Sequence, residues 1–352
     1  MVLLPPPPLS SHPLVHRLHR RLSFLTPALL VDWAVILAVA HTARWVERQY
    51  PYERDPAHYL ADPDLSWPHV HHERVPAGPG EMLDQLTWYL PLALMVAIGV
   101  ARRSARDVHH AVMGLAASRA VMRLVVECLK NRVGRLRPDF FARCAWDDVA
   151  KACTGPLALV KDGRRSFPSG HSSTAWQGLF FLALYLAGKT GAFAFAARFP
   201  RSGVLQSRLL RFTLAIAPLF LAGWICITRL EDHYHHPSDV VAGSLIGLAS
   251  ALVMYLGMYP SPFVVFSSSP ASSSTLTRTG FPPAAVASPT AEELLAVMGR
   301  PKRVYGDREA GWDDEEEEGR IRLVEEGRRV GGEDEGFEEE ARVPRGSEVE
   351  EV

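Results

Sequence analysis

The stretch Phe212–Thr228, FTLAIAPLFLAGWICIT, decides the class of fold, because it carries no charged side chain from end to end. A bilayer core is about 30 Å thick, and a helix rising 1.5 Å per residue crosses it in roughly 20 mostly apolar residues. Residues Val240–Met258, VVAGSLIGLASALVMYLGM, repeat the pattern. Working outward from this pair, six blocks approach spanning length, at about 26–43, 85–101, 108–130, 173–190, 210–228 and 238–258. The first, ALLVDWAVILAVAHTA, tolerates Asp32. The third contains Arg119, Arg123 and Glu127, which recur every four residues on one helix face. It reads either as a helix facing water or as a span whose ionisable stripe faces the bundle interior, and we take the second. The expected fold is all-α: a polytopic membrane protein with a six-span helical bundle.

The formal net charge of the 352 residues is −1, which hides an asymmetry. Residues 301–352 hold 19 acids against 9 bases, leaving a net of +9 on the first 300. Lys and Arg mark cytoplasmic loops. Residues 1–25 carry Arg17, Arg20 and Arg21 and no acid, and the loops after spans two and four are basic. The loop 44–84 has eight acids and four bases. Both termini are therefore expected in the cytoplasm, with the loops after spans one, three and five on the luminal or extracellular face. The start of the chain has no basic region ahead of its apolar residues, so the first span is expected to act as an uncleaved anchor. Residues 130–172 break the charge rule, with nine Lys/Arg and four Asp on the outer side. Either the topology is wrong or these cations serve an anionic substrate.

The expected organisation is a cytoplasmic segment 1–25, a six-span domain 26–258 and a disordered tail 259–352. The tail opens Ser/Pro-rich and ends acidic, with too little apolar surface to offset the entropy of ordering. The loop 44–84, with His69, His71 and His72, reads as solvated. Cys128 and Cys226 fall in spans as small apolar groups. Cys144 and Cys153 share the outer loop after span three, where an oxidising compartment would let them pair and a reducing one would leave two thiols.

Three stretches at outer span ends carry the chemistry. They are Lys130-Asn-Arg-Val-Gly-Arg-Leu-Arg137-Pro138, then Ser166-Phe-Pro168-Ser169-Gly170-His171, then Thr228-Arg229-Leu-Glu-Asp-His-Tyr-His235-His-Pro-Ser-Asp239. Together, in order and spacing, they resemble the three-part signature of the type 2 phosphatidic acid phosphatase family, the lipid phosphate phosphatases. Thr228 stands where the family has Ser and keeps the hydroxyl. The resemblance covers roughly residues 26–258, and GRLRPDF and GRRSFPSGHSS look most like the fungal and animal lipid-directed branch.

The physics of phosphoryl transfer fits these residue types. Charge on the equatorial oxygens needs fixed cations, which Lys130, Arg137 and Arg229 supply, and Arg presents a planar fork suited to phosphate. Ser169 and Gly170 precede a helix, so their backbone N–H groups offer an anion site. The resemblance makes His235 the nucleophile, forming a phosphohistidine, and His171 the general acid. His235 lies four residues before Asp239. If the stretch is helical they share a face and the carboxylate fixes the ring tautomer; if Pro237 starts the helix, a capping turn results instead. No cofactor and no metal is expected, although Asp232, His233, His235, His236 and Asp239 also read as a possible metal cluster. The partners expected are a membrane phospholipid and the bilayer, with no nucleic acid. Phosphatidate, lysophosphatidate and diacylglycerol pyrophosphate are the substrates the resemblance implies. The rival readings are a lipid phosphotransferase, a non-catalytic lipid-binding membrane protein and a vanadate-dependent haloperoxidase.

Overall fold

The computed structural model describes residues 27–193 and 204–263. The expected N-terminal segment and nearly all of the expected tail lie outside the described residues. The first long helix, α1, is Pro27–Arg48. Its following loop holds 3₁₀ turns at Pro56–Tyr59 and Pro63–Leu65. Helix α2 runs Met82–Ala101, with a π turn at Gln85–Tyr89. Helix α3, Ala105–Val133, starts under a Ser104 cap whose side chain accepts from Asp107 N–H. It ends at Gly134, φ 56°, where a Cβ would lie 2.0 Å from the Tyr52 carbonyl oxygen. Only glycine allows both that left-handed turn and that approach.

A small subassembly follows. Helix α4 is Phe140–Cys144, strands β1 (Trp146–Asp147) and β2 (Ala152–Cys153) pair antiparallel with Trp146 opposite Cys153, and α5 is Leu157–Gly163. Cys144 and Cys153 are joined by a disulfide across this hairpin. The chain then returns through α6 (Gly170–Thr190), α7 (Arg208–Glu231) and α8 (Pro237–Met258).

Helix α6 is the centre, packed against α7, α8 and α3. Gly243 and Gly247 of α8 let it lie directly on the first turn of α6: a Cβ at either would come within 2.4 Å of the Ser169 or Ser173 carbonyl oxygen. Small residues on one stripe draw membrane helices this close. At the opposite end, Asp107 of α3 accepts from Tyr185 (2.9 Å) and Tyr259 (3.0 Å) and pairs with Lys189 (2.6 Å), tying three helices together.

Among the described residues four helices, α1, α2, α7 and α8, are long and apolar enough to cross a membrane. Their outward faces expose Leu30, Val35 and Leu37 on α1, Leu214 and Phe220 on α7, and Val241, Leu245 and Val253 on α8. Continuous apolar faces of this kind suit lipid and not water. The other two expected spans form long helices but fall short on apolar composition. α3 carries its charged stripe, and α6 begins with the polar residues of the second motif. Both have neighbours on several sides, so protein replaces much of the lipid around them.

The loop 44–84 departs from the solvated segment expected. Pro56, Leu65 and Val75 are buried in it. His69 Nδ1 lies 2.7 Å from Asp139 Oδ2, and Tyr234 donates to the Val70 carbonyl. His71 and His72 stay exposed. The loop is anchored because its backbone groups find partners on the motifs themselves, as when Arg74 N–H donates to Asp232 Oδ2 (3.0 Å).

Candidate active site

All three motifs meet at one end of the bundle, around a cavity of about 460 Å³. Lys130, Arg137, Gly170, His171 and His235 line it. Lys130 rides on the last turn of α3, and Gly170 opens α6. A Cβ at Gly170 would lie 3.0 Å from Lys130 Nζ, so the glycine brings the ammonium to the helix start.

His235 sits in the turn between α7 and α8, buried. Its Nδ1 lies 2.8 Å from the Ser166 carbonyl oxygen, whereas Asp239 Oδ2 is 4.0 Å away. The expected direct bond from Asp239 is therefore replaced. Pro237 begins α8, and Asp239, at its third position, accepts from His236 N–H at 3.1 Å. This is the capping turn, and it puts His235 outside the helix. Asp239 also accepts from Ser166 Oγ (2.6 Å) and from Arg135 (2.7 Å). It thus holds the strand of backbone whose carbonyl holds His235. A carbonyl can only accept, so Nδ1 must carry the proton and Nε2 is left with the lone pair. Burial holds the His235 imidazole well below its ordinary pKa, and the charges of Arg137 and Lys130 push the same way. The ring is neutral at neutral pH.

His171 Nε2 lies 3.1 Å from the Val75 carbonyl, 3.2 Å from Glu73 Oε2 and 3.2 Å from Arg229 Nη1. Glu73 also accepts from Arg229 Nη1 at 2.7 Å. Burial raises the Glu73 carboxyl, but the hydrogen bond and charge of His171, with the charge of Arg229, outweigh it and hold the pKa at about 2. Arg229 is fully buried, with Asp232 on its other nitrogen (3.0 Å). It stands behind His171 and Glu73 and is absent from the cavity wall. Arg137 is held by Asp162 through its carbonyl (3.0 Å) and carboxylate (2.9 Å) and lies over the Tyr234 ring.

Ser169 also differs from expectation. Its N–H donates to the Asp239 carbonyl (2.9 Å) and its hydroxyl caps Ser172 N–H (3.3 Å). A helix start leaves its first N–H groups without intrahelical acceptors, so the amides of Gly170 and His171 remain for an anion. The residues of the possible metal cluster diverge. His233 stacks on Trp67 at 4.0 Å, His235 bonds Ser166, His236 bonds Asp239, and Asp232 holds Arg229. Among the described residues no group of three His, Cys, Asp or Glu is arranged to hold a metal ion.

Several residues at the site carried no role in the sequence reading: Glu73, Arg135, Asp162 and the carbonyl of Ser166. Arg135 and Ser166 lie inside the quoted motifs, so proximity was a usable signal. Glu73 had none, sitting in an aperiodic loop about a hundred residues from its partner His171.

Comparison with known proteins agrees with the geometry. The PAP2 superfamily model matches residues 111–262. Lipid phosphate phosphatase 2 of Arabidopsis thaliana is 36% identical over 182 residues, covering 49% of this chain and 59% of the plant protein. A probable diacylglycerol pyrophosphate phosphatase of Schizosaccharomyces pombe is 32% identical over 240 residues, 65% of this chain and 81% of the yeast protein. Diacylglycerol pyrophosphate phosphatase 1 of Saccharomyces cerevisiae is 30% identical over 60% of this chain and 73% of its own length. The chain spans little more than half the length of the plant relatives it matches. No solved structure matches it. Relatives thus come from plants as well as fungi, a wider circle than the branch first suggested. With the complete signature and a fission yeast relative matched over four-fifths of its length, this integral membrane protein belongs to the PAP2 superfamily of type 2 phosphatidic acid phosphatases.

Proposed function

We propose that the chain hydrolyses the terminal phosphate from a membrane lipid without a metal ion, with phosphatidate, lysophosphatidate and diacylglycerol pyrophosphate as the substrate candidates. The observation that carries this reading is the His235 ring: Nδ1–H is committed to the Ser166 carbonyl, and the ring lines a cavity whose other walls are Lys130, Arg137 and His171. In the proposed first step the Nε2 lone pair attacks the terminal phosphorus, its P–O bond to the rest of the lipid breaks, and a proton from His171 goes to the leaving oxygen, an alkoxide in a monoester and a phosphate in a pyrophosphate. An imidazolium at position 171 donates Nε2–H to Glu73 and offers Nδ1–H to that oxygen. Lys130, Arg137 and the amides of Gly170 and His171 take the equatorial charge, and Arg229 supports them from behind. In the second step His171 accepts a proton from water, the water oxygen attacks phosphorus, and the P–N bond breaks to release phosphate and neutral His235.

Six spans, with both termini cytoplasmic and the cavity on the luminal or extracellular face, complete the proposal. Domain limits of 26–258 with a dispensable tail go with it. Support comes from the alternating direction of α1, α2, α3, α6, α7 and α8, whose site-bearing ends are C-terminal, N-terminal, C-terminal, N-terminal, C-terminal and N-terminal in turn.

The test pairs trapping with leaving groups. Radiolabelled lipid phosphate should leave an acid-labile, alkali-stable label on the wild type and none on His235→Ala, with EDTA present throughout. His171→Ala should lose roughly a hundred- to ten-thousandfold on lipid phosphate and far less on an aryl phosphate, whose leaving group needs little protonation. Label retained on His235→Ala, or activity abolished by EDTA and restored by a divalent ion, would overturn the reading.

A further inference from the structure

The cavity does not stop at the catalytic cluster. It continues along α3 past Glu127 and Arg123 to Arg119, the charged stripe recognised in the sequence, with Met122 and Val126 between. Arg123 and Arg119 precede Lys130 by seven and eleven residues, so they lie about 10 and 16 Å down the helix axis from it. Arg123 pairs with Glu47 in the last turn of α1 (2.7 Å), and Arg119 pairs with Asp84 at the start of α2. Those carboxylates mark the level at which two of the apolar helices end, where hydrocarbon gives way to the polar interface. The ester carbonyls of a glycerolipid are separated from its phosphorus by only a short run of bonds, so with the phosphate at Lys130 they reach the level of Arg123 and stop short of Arg119.

The charge state of this extension sets the chemistry of its ligand. Each guanidinium has its own carboxylate, and Glu127 is taken by Arg165. No cation is left over for a second phosphate, which would also face Glu47, Asp84 and Glu127. Hydrogen-bond donors are left over, because a guanidinium carries five N–H groups and a single carboxylate cannot use them all. Arg123 gives Nη2–H to Glu47 at 2.7 Å and stays 40% exposed, while the Arg119 guanidinium lies over the Trp88 ring at 5.2 Å. A neutral acceptor-only group is what such donors take.

We infer that Arg123 forms a subsite for an ester carbonyl oxygen of an acylglycerol phosphate, selecting ester-linked lipids while the phosphate occupies the cluster at Lys130. This rests on the phosphatase reading above and adds the class of lipid. Energy from contacts remote from the reacting bond appears in kcat/KM, so the subsite is read by comparing lipids that differ only there.

The experiment uses the full chain in mixed micelles with two substrates of equal chain length, a diacyl phosphatidate and its dialkyl ether analogue, which lacks the carbonyls. Wild type should prefer the ester lipid. In Arg123→Gln the ester-to-ether ratio of kcat/KM should fall, by roughly tenfold where a charged donor is lost, while Arg119→Gln should leave it unchanged. Because both rates come from one preparation, misfolded protein cancels from the ratio. The double variant Glu47→Gln/Arg123→Gln, which leaves no orphaned carboxylate, should give the same ratio as Arg123→Gln. Equal losses on both lipids in Arg123→Gln, or an unchanged ratio there, would overturn the subsite and leave the phosphatase intact. Phosphate release from neither lipid by wild type would overturn both.

Discussion

Replacing Glu73 by Gln is the most informative single change, because one carboxylate touches both the proposed general acid and the most buried arginine. It lies 3.2 Å from His171 Nε2 and 2.7 Å from Arg229 Nη1. A pKa drop from 4.5 to about 2 corresponds to about 3 kcal/mol of preference for the ionised carboxylate, against the cost of its partial burial. Shared between two cations, that leaves roughly 1–2 kcal/mol on the imidazolium, or about one pH unit. Burial pushes the His171 imidazole below its ordinary pKa, and of the charged groups facing it Arg229 and Arg137 push the same way while Glu73 favours its proton. Glu73→Gln keeps the shape and removes the charge, so the basic limb of the kcat–pH profile should move down by about one unit. Inorganic phosphate should also inhibit more tightly, since an anion at the cluster no longer meets this carboxylate. The assay is steady-state lipid phosphate hydrolysis across pH 5–9, with phosphate as competitive inhibitor. A uniform loss of rate at every pH, with the basic limb and the phosphate inhibition constant unmoved, would show that Glu73 only braces the loop.

Three further outcomes follow from the geometry. Since His235 is held neutral well below its ordinary pKa, the acidic limb of kcat/KM should fall below about pH 6.5, the value of a free imidazole. The unfolded chain binds the extra proton first, so the stability contributed by this site is complete above that pH and declines as pH falls below it; an acidic limb at or above 6.5 would contradict the neutral nucleophile. Asp239→Asn should lower kcat at least roughly tenfold and destabilise by about 3 kcal/mol in thermal unfolding, because Arg135 loses its buried partner and the Ser166 backbone its tether; near-normal turnover would show that Ser166 positions His235 unaided. Cys144 and Cys153 should resist thiol labelling until reduced, and Cys144→Ala/Cys153→Ala should cost about 2–3 kcal/mol for a loop this short, measured by denaturant unfolding.

The helices were legible wherever apolar composition alone specifies them: α7 and α8 begin and end within a few residues of the blocks read from Phe212 and Val240. α3 was legible by the period of Arg119, Arg123 and Glu127. The three motifs were legible as strings, and they do converge, but their inner wiring was not. The spacing of His235 and Asp239 permits a shared helical face, and the decision against it came from Pro237, which fixes the first helical residue and makes Asp239 a cap. The first outer loop was misread because its order comes from partners distant in sequence. His69 is held by Asp139 and Glu73 by Arg229, and no local pattern encodes either pairing.

The basic excess of residues 130–172 finds its explanation in the same long-range pairing. Counted along the chain, the segment looks like a cation patch awaiting an anion. In space, Arg165 is held by Glu127, Arg137 and Arg143 by Asp162, Arg143 also by Asp139, and Arg135 by Asp239; Arg229 of the third motif is held by Glu73 and Asp232. Isolated buried cations would cost several kcal/mol each, so the carboxylates make the site foldable before any phosphate arrives. They also set its geometry: Asp162 grips Arg137 by both carbonyl and carboxylate, which leaves the guanidinium oriented and still rich in donors. Lys130 differs from the rest. Its contact with Glu127 is 3.8 Å long, and that carboxylate is committed to Arg165. In the proposed reaction an arriving phosphate therefore meets an oriented Arg137 that need not move and one loosely held ammonium beside a helix start. Catalysis by fixed charge requires that division, since reorganising buried ion pairs during the reaction would consume the stabilisation they provide.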